Sequence, residues 1–415
     1  MALQLGVPSN YPAGFNNVTI RGVPVTQSHP GQVFWVSNAA PLLPGQIGSS
    51  DGNPGTFNAP FSTLQYAISR TTPMRGDIIF IKPGHFEAVT SATLNVIGAT
   101  ATAGAITQYS SGVAIIGLGQ GAMRPTFRMD AAAAAILLGP TPATMTASIA
   151  TTGIMTVTVL TSGVIYPGMQ IFGTGTNPGM FIESQLGGTT NGVGTYQLSV
   201  APLATVTSGT LVGALGCDNA FSNLLFVANF ADVASCFKMT AAGFVKNTTI
   251  DRCEFRDLSS SLNFVSIFTG AGTTANNCDG FSFTSNKVSS LGTTAATTAI
   301  KFSTAQDNVQ INDNFGNWAV LNDTAAMLAV GANSITNFEF GRNNLNRPNT
   351  SSTSGSFIST SGTAWTGHCF DNKLWQLDNS AGIWIATGTK LAFSQNFSPI
   401  TAVADASGLI NPAAV

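Results

Sequence analysis

The sequence predicts an all-β protein, a right-handed parallel β-helix with an N-terminal capping helix and a small inserted antiparallel β module. Three observations lead to this fold class. Short apolar segments recur at nearly regular intervals in the second half of the 415-residue chain, which is typical of coiled repeat architectures. Helical periodicity is confined to one short segment. Charged residues make up only 8% of the chain, against about 25% in ordinary soluble domains.

The repeat is marked by an apolar residue followed three positions later by Asn, with Cys in one copy. The marked positions are Asn229, Cys253, Asn286, Asn314, Asn343, Asn372 and Asn396, spaced 24 to 33 residues apart. Coils of this size built from short strands are typical of a parallel β-helix. Asn tolerates the left-handed backbone of a sharp corner. We therefore expect these residues to occupy one corner and their amides to form a ladder from coil to coil.

The clearest helical pattern follows a loop rich in Gly, Pro and Asn at the start of the coil region. Phe61, Leu64 and Ile68 recur on one face of a segment that spans Pro60–Ile68. A β-helix has an open end with an apolar interior, and that end has to be covered. We predict that the loop and helix form this N-terminal cap. The alternative is an ordinary surface helix.

These residues carry a family resemblance. The stretch SDGNPGTFNAPFSTLQYAISRTTPMRGDIIFIKPGHFE, residues 50–87, resembles the start of pectin-lyase-like right-handed β-helix domains, and most of all those of bacteriophage virion proteins. The shared features are the Gly/Asn-rich loop, the PF-TLQ-AI segment and the GD-I segment that ends in Pro-Gly. The resemblance covers residues 50–139 and 213–397, although only the first part is motif-specific. It implies the fold, and it implies little about activity.

Composition divides the chain into five segments. Residues 1–49 contain six prolines and little periodicity, and we predict an extended arm that anchors the protein to a neighbour. Residues 50–139 hold the cap helix and first coils, and residues 213–397 hold the remaining coils. Residues 140–212 are rich in Thr, Gly and Val and predict the inserted β module, which resembles one common in phage tail and fibre proteins. Residues 398–415 form a C-terminal tail.

The strongest concentration of charge is the segment Asp251–Asp257, which reads DRCEFRD. With Ile250, Cys253 and Phe255 facing inward, Asp251, Glu254 and Arg256 face outward. Glycosidases pair two carboxylates, and the resemblance implies acidic calcium ligands and a basic residue in lyases of this fold. These three residues are therefore the catalytic candidates. We favour the alternative of a salt-bridged surface or subunit contact, and the sequence predicts no enzymatic activity.

Composition also argues against several other classes of protein. The five cysteines match no zinc spacing and predict buried thiols in a reducing compartment. The Lys and Arg residues form no cluster, so we expect no nucleic-acid partner. The longest apolar runs are far below the roughly 18 residues of a membrane span, and we expect no membrane insertion. We see no secretory signal, and we expect neither a cofactor nor a metal.

The sequence favours a structural bacteriophage virion protein on the particle surface, made in the host cytoplasm. The preferred form is a homotrimeric capsid decoration protein, of the cement or head-fibre type. Its expected partners are itself, the major capsid protein or other virion proteins through residues 1–49, and a host surface glycan as a further possibility. The alternative is a tail spike or tail fibre that binds or depolymerises a polysaccharide. A cell-surface adhesin is disfavoured by the missing signal.

Overall fold

The computed structural model describes residues 19–20, 23–24, 31–40, 45–90, 106–108, 110–139, 142–239, 243–270, 272, 276–291, 298–318, 326–330, 333–347, 358–359, 365–376, 383–384 and 390–396. Three long parallel sheets and one antiparallel sheet account for most of these residues. Within the same ranges, no helix is long and apolar enough to cross a membrane.

The three parallel sheets form the walls of a parallel β-helix, because successive strands of the chain pass from one sheet to the next. Within the described residues, the ten strands of sheet A are Val33–Val36, Ile78–Ile81, Ala114–Gly117, Ala220–Ser222, Thr249–Asp251, Ser282–Thr284, Gln310–Asn312, Phe338–Gly341, Thr366–Phe370 and Lys390–Ser394. The eight of sheet B are Phe86–Val89, Thr126–Met129, Leu225–Ala228, Glu254–Asp257, Lys287–Ser289, Phe315–Asn317, Asn344–Arg347 and Lys373–Gln376. The eight of sheet C are Ile106–Gln108, Ile136–Leu138, Phe237–Met239, Phe268–Gly270, Thr298–Phe302, Ala326–Ala329, Ile358–Ser359 and Ile383–Trp384.

Apolar side chains of equivalent strands stack on one another inside the coil. In sheet A the directly paired inward positions are Phe34, Ile79, Ile115, Phe221, Ile250, Phe283, Ile311, Phe340 and Cys369. All of them belong to one continuous buried cluster. Because strand side chains alternate between faces, each inward position fixes an outward neighbour. The outer faces of the sheets are therefore regular columns of residues as well.

Sheets A and B meet at a corner made of two consecutive residues. The first residue has a left-handed backbone with φ of 51° to 59°, and the set is Asn223, Arg252, Ser285, Asp313, Arg342, Asp371 and Gln395. The second residue is buried, and the set is Leu224, Cys253, Asn286, Asn314, Asn343, Asn372 and Asn396. One left-handed residue turns the chain sharply from one sheet into the next.

The buried Asn residues form a ladder along this corner. The Oδ1 atom of Asn343 accepts the backbone N–H of Asn314 at 3.0 Å, and its Nδ2 atom donates to the carbonyl oxygen of Ile311 at 2.8 Å. Asn286, Asn314, Asn372 and Asn396 make the same pair of bonds to the preceding coil. The ladder thus satisfies backbone groups that would otherwise be unpaired in an apolar interior.

Two details of the predicted corner are wrong. The left-handed residue is the one before each Asn, and the Asn itself points inward. Asn229 does not belong to the ladder, because it follows the strand Leu225–Ala228 and its Nδ2 atom donates to Asp130 Oδ1 at 2.8 Å. Leu224 occupies the equivalent corner position in that coil.

The cap helix is Leu64–Ser69, shorter than the predicted segment because Phe61 pairs with Val36 as a β-bridge. Leu64 and Ile68 are fully buried against the end of the coil. The preceding loop supplies Asp51, whose Oδ1 atom accepts the backbone N–H groups of Ser62 and Thr63 at 2.9 and 3.0 Å. Thr63 is the N-cap residue, and its Oγ1 atom accepts the Tyr66 N–H at 3.2 Å and donates to Asp51 Oδ2 at 2.9 Å. The turn-forming loop therefore supplies the carboxylate that holds the N-cap residue in place.

The inserted module is a six-stranded antiparallel sheet within the described residues. In spatial order its strands are Gln170–Phe172, Val206–Ala214, Ala143–Ile149, Ile154–Ser162, Gly194–Leu198 and Ile182–Gly188. It has its own apolar core. The chain leaves the coil after Ile136–Leu138 of sheet C and returns before Ala220–Ser222 of sheet A. Phe221 pairs directly with Ile115, so the coil register continues across the insertion.

The N-terminal boundary predicted at residue 49 is wrong. The apolar segment Val33–Val36 is the first strand of sheet A and pairs in parallel with Ile78–Ile81. It belongs to the coil because its side chains extend the buried stack. Residues 1–18 and the tail 398–415 lie outside the described residues.

All five cysteines are free and buried. Burial raises the pKa of the Cys217 and Cys253 thiols to about 12. They are therefore inert apolar fillers of the coil, since the thiolate is the reactive form.

The Asn ladder predicts a sharp contrast between two neighbouring Asn residues. Asn343→Ala leaves the buried Asn314 N–H and the Ile311 carbonyl without partners, so we expect a loss of about 2–4 kcal/mol in the free energy of unfolding. Asn344→Ala, on the exposed side of the next position, should cost less than about 0.5 kcal/mol. Denaturant titration of both variants measures the difference, and equal losses would contradict the ladder.

Lys82 predicts a pH effect on stability. Its ammonium is buried near the Phe57 ring, 4.1 Å from the centroid, and donates to the Phe57 carbonyl. Burial lowers its pKa to about 8. Between that value and the ordinary pKa of about 10.4, the unfolded chain binds the proton and the folded chain does not, so stability rises with pH. The unfolding free energy of the wild type should therefore rise relative to Lys82→Met between pH 8 and 10. A flat Lys82→Met difference over this pH range would disprove the assignment.

Candidate functional site

The structure separates Asp251 from the other two predicted catalytic candidates, Glu254 and Arg256. Asp251 ends a strand of sheet A, and Glu254 begins the next strand, in sheet B. The left-handed residue Arg252 lies between them, at the corner. Asp251 contacts Arg252 Nε through Oδ2 at 2.6 Å and Thr284 Oγ1 through Oδ1 at 3.1 Å. Asp251 and Glu254 therefore lie on different sheets with different partners, and they do not form a pair across one groove.

Glu254 and Arg256 do lie together, on the outer face of sheet B. The Glu254 carboxylate is 2.6 Å from Arg256 Nη2, 3.3 Å from Lys287 Nζ and 3.2 Å from Arg124 Nη1. Burial by itself would raise the pKa of this carboxyl, but the hydrogen bond and charge of Arg256, together with Lys287, outweigh it and lower the pKa. Three cations thus converge on a single carboxylate that stays ionised.

Further cations and exposed rings extend this arrangement along the sheet. Arg128 pairs with Asp130 through two bonds of 2.8 Å, and its guanidinium lies 5.0 Å from the centre of the exposed Phe86 ring. Phe315 is 46% exposed and pairs with Lys287 in the next strand. Lys373 is exposed in the same outward column, two strands further on. We call this set the cationic face of sheet B; its residues are Phe86, Arg124, Arg128, Glu254, Arg256, Lys287, Phe315 and Lys373.

The cationic face concentrates charge in a chain that has little. Five of the 16 Lys and Arg residues belong to it, although the net charge of the chain is −2. The side chains of Arg256 and Lys287 are 48% and 43% exposed, so each can contact Glu254 and still reach a ligand. The arrangement can bind anionic groups through cations and apolar ring faces through Phe315.

Sequence reasoning missed most of this face. Lys287 is not among the residues predicted from the sequence, although the coil repeat places it opposite Glu254. Arg124 lies 130 positions from Glu254, because the inserted module and the coil that contains Leu225–Ala228 lie between them in the chain. The alternation prediction did place Glu254 and Arg256 outward. Asp257, the last residue of the charged segment, is buried and accepts the Phe264 N–H at 2.9 Å.

Comparisons with protein families, curated proteins and solved structures gave matches among the solved structures. No family model matches the sequence, and no curated protein matches it. Among solved structures, a rhamnogalacturonan lyase is similar over 89% of this chain and 74% of its own, with 11% identity and a TM-score of 0.42. The tailspike of Pseudomonas phage phi297 is similar over 71% of this chain and 64% of its own, with 10% identity and a TM-score of 0.17.

These comparisons bear on two of the functional predictions. The prediction that the protein is not an enzyme is corrected, because the first of the two similar structures is that of an enzyme, a lyase. Neither structure is a capsid decoration protein, so the preferred prediction of capsid decoration gains no support. The second structure is a tailspike, which was the alternative. At these identities the likeness concerns the fold, and function has to be argued from the site.

Proposed function

We propose that this protein is a polysaccharide-binding β-helix protein of the tailspike kind, which holds an acidic polysaccharide along the cationic face of sheet B. The observation that carries the proposal is the convergence of Arg124, Arg256 and Lys287 on the one carboxylate of Glu254. This excess of cations lies on a fixed, partly exposed surface. The positive charge of this surface is complementary to a ligand that carries carboxylates.

The chemistry of the face favours a carboxylate-bearing sugar over a neutral one. Arg256 and Lys287 are held in position by Glu254, so little side-chain entropy is lost when a ligand binds. A carboxylate gains charge-assisted hydrogen bonds from both. The exposed Phe315 ring lies one strand beyond Lys287 and offers an apolar surface to the C–H face of a sugar ring.

The length of the cationic face along the coil axis favours a polymeric ligand. Strands of sheet B follow one another at about 4.8 Å, and the face runs from Phe86 in the first strand to Lys373 in the last. An extended chain that lies along the coil axis can meet Arg128, Arg256 and Lys287 in succession. A small molecule would use only one of these positions.

We further propose that the protein is a homotrimer on the virion surface and that its N-terminal segment attaches it there. The weakly charged flanks of the coil support side-by-side packing, because few charges have to be desolvated. The segment that remains for attachment is shorter than predicted from sequence, since Val33–Val36 already belongs to sheet A. Residues 1–30 are therefore the attachment segment in this proposal.

Binding to polygalacturonate should respond in opposite directions to two kinds of change in the face. The double variant Arg256→Ala/Lys287→Ala should weaken binding at least about tenfold, because two charge-assisted contacts are lost. Glu254→Gln should tighten binding, because it removes the carboxylate that competes with the ligand. Calorimetric titration at pH 7 measures both, with dextran as the neutral polymer.

The matched control is Lys238→Ala/Lys301→Ala, which removes two exposed cations from the outer face of sheet C. It changes the net charge by the same amount and should leave binding within about twofold. Equal losses in the two double variants would show that overall charge, rather than the cationic face, governs binding. Equal affinity for dextran and polygalacturonate would also count against the proposal.

The attachment segment can be tested separately. Deletion of residues 1–30 should leave a folded trimer by light scattering, because the first strand of sheet A is retained. The truncated protein should no longer join virus particles when supplied in place of the full chain. Truncated protein found on particles at normal occupancy would show that attachment uses another part of the chain.

A further inference from the structure

A cleft lies where the inserted module meets the coil. The module enters and leaves the coil at the corner between sheets C and A, and its segment Gln170–Gly179 faces four residues of successive coils, Asp218, Lys246, Asn247 and Asp279. The cleft is open to solvent on one side and has a volume of about 420 Å³, within the range of small-molecule sites. Its two walls come from parts of the fold that each have their own apolar core.

One wall combines a cation, a carboxylate and an aromatic ring. Lys246 Nζ lies 3.2 Å from Asp279 Oδ2 and 5.0 Å from the centre of the Phe172 ring. Phe172 stacks on Phe244 of the coil with ring centres 5.5 Å apart. The ring is thereby fixed relative to the charged pair, although it belongs to the module.

The other polar groups of the cleft are also held in place. Asn247 Nδ2 donates to Asp218 Oδ1 at 2.7 Å, and Gln170 Nε2 of the module donates to Asp218 Oδ2. The Asn247 side chain lies against Gly280, where a Cβ atom would come within 2.2 Å of Asn247 Oδ1. A glycine at this left-handed position, with φ of 73°, therefore leaves room for the Asn247 amide.

These groups match a hydroxyl-rich, uncharged ligand. Two carboxylates and one ammonium give the cleft a net negative charge, which disfavours an anion. Each carboxylate oxygen has two lone pairs and the ammonium has three protons, so acceptors and donors remain for hydroxyl groups. Burial raises the pKa of Asp279, as expected for a carboxylate with few water contacts.

We propose that this cleft is a second saccharide site, which takes one or two neutral sugar units between Phe172, Lys246 and Asp279. It shares no residue with the cationic face of sheet B and does not rest on the function proposed for that face. A polymer with neutral and acidic units, or a neutral side branch, could use both sites.

The test is saturation-transfer NMR and titration with three neutral disaccharides, cellobiose, maltose and N,N′-diacetylchitobiose, at millimolar concentration. We expect at least one to bind. Asp279→Asn and Phe172→Ala should each weaken that binding about tenfold, the effect of losing one charge-assisted hydrogen bond or a stacking surface. Asp371→Asn is the matched control, since Asp371 is an exposed carboxylate at the corner between sheets A and B and does not line the cleft. It should leave affinity unchanged.

Two results would overturn the proposal: failure of all three sugars to bind the wild type, or binding that persists in both cleft variants. Thermal melting of each variant distinguishes loss of the site from loss of the fold, and Lys246→Gln serves if Asp279→Asn does not fold. Polygalacturonate binding should be intact in the cleft variants. Failure here is thus separable from failure of the cationic face.

Discussion

Coil-to-coil register at the corner between sheets A and B is the constraint on which the rest of the structure depends. A chain that turns sharply inside an apolar interior exposes backbone groups that have to find partners. The Asn ladder supplies them, with steps of 28 and 29 residues from Asn286 to Asn372. Because each amide bonds to the preceding coil, a slip of one residue would break several bonds and bury the outward face. Register is therefore fixed from Cys253 to Asn396 among the described coils.

Fixed register is what allows residues far apart in the chain to form one surface. Glu254, Lys287 and Phe315 meet as directly paired positions of three successive strands. Arg124 can reach this surface because the module is inserted at the corner between sheets C and A, away from sheet B. The insertion therefore leaves the pairing of neighbouring coils undisturbed. The same insertion creates the cleft, since it brings Phe172 against coil residues. Both candidate sites are thus consequences of a regular stack with one interruption.

The stack of coils could be predicted from the sequence, whereas the two candidate sites could not, and the reasons are physical. The recurring Asn and the alternating apolar residues are local patterns, so the β-helix, its cap and the module could all be predicted. The error at Asn229 arose because the corner of that coil carries Leu224 instead of Asn. The bond of Asp51 to the N-cap residue Thr63 and the ion pair of Arg124 with Glu254 depend on contacts that span insertions or loops. The contact of Gln170 with Asp218 depends on how the module docks, which no periodic pattern encodes.

The most direct measurement of the central claim is a structure of the protein with a bound oligogalacturonate. The account predicts that the sugar chain lies along sheet B, with carboxylates within about 4 Å of Arg256 and Lys287 and one ring against Phe315. It also predicts that Glu254 keeps its contact with Arg124. An oligosaccharide bound only to sheet A or sheet C, with the cationic face empty, would contradict the account.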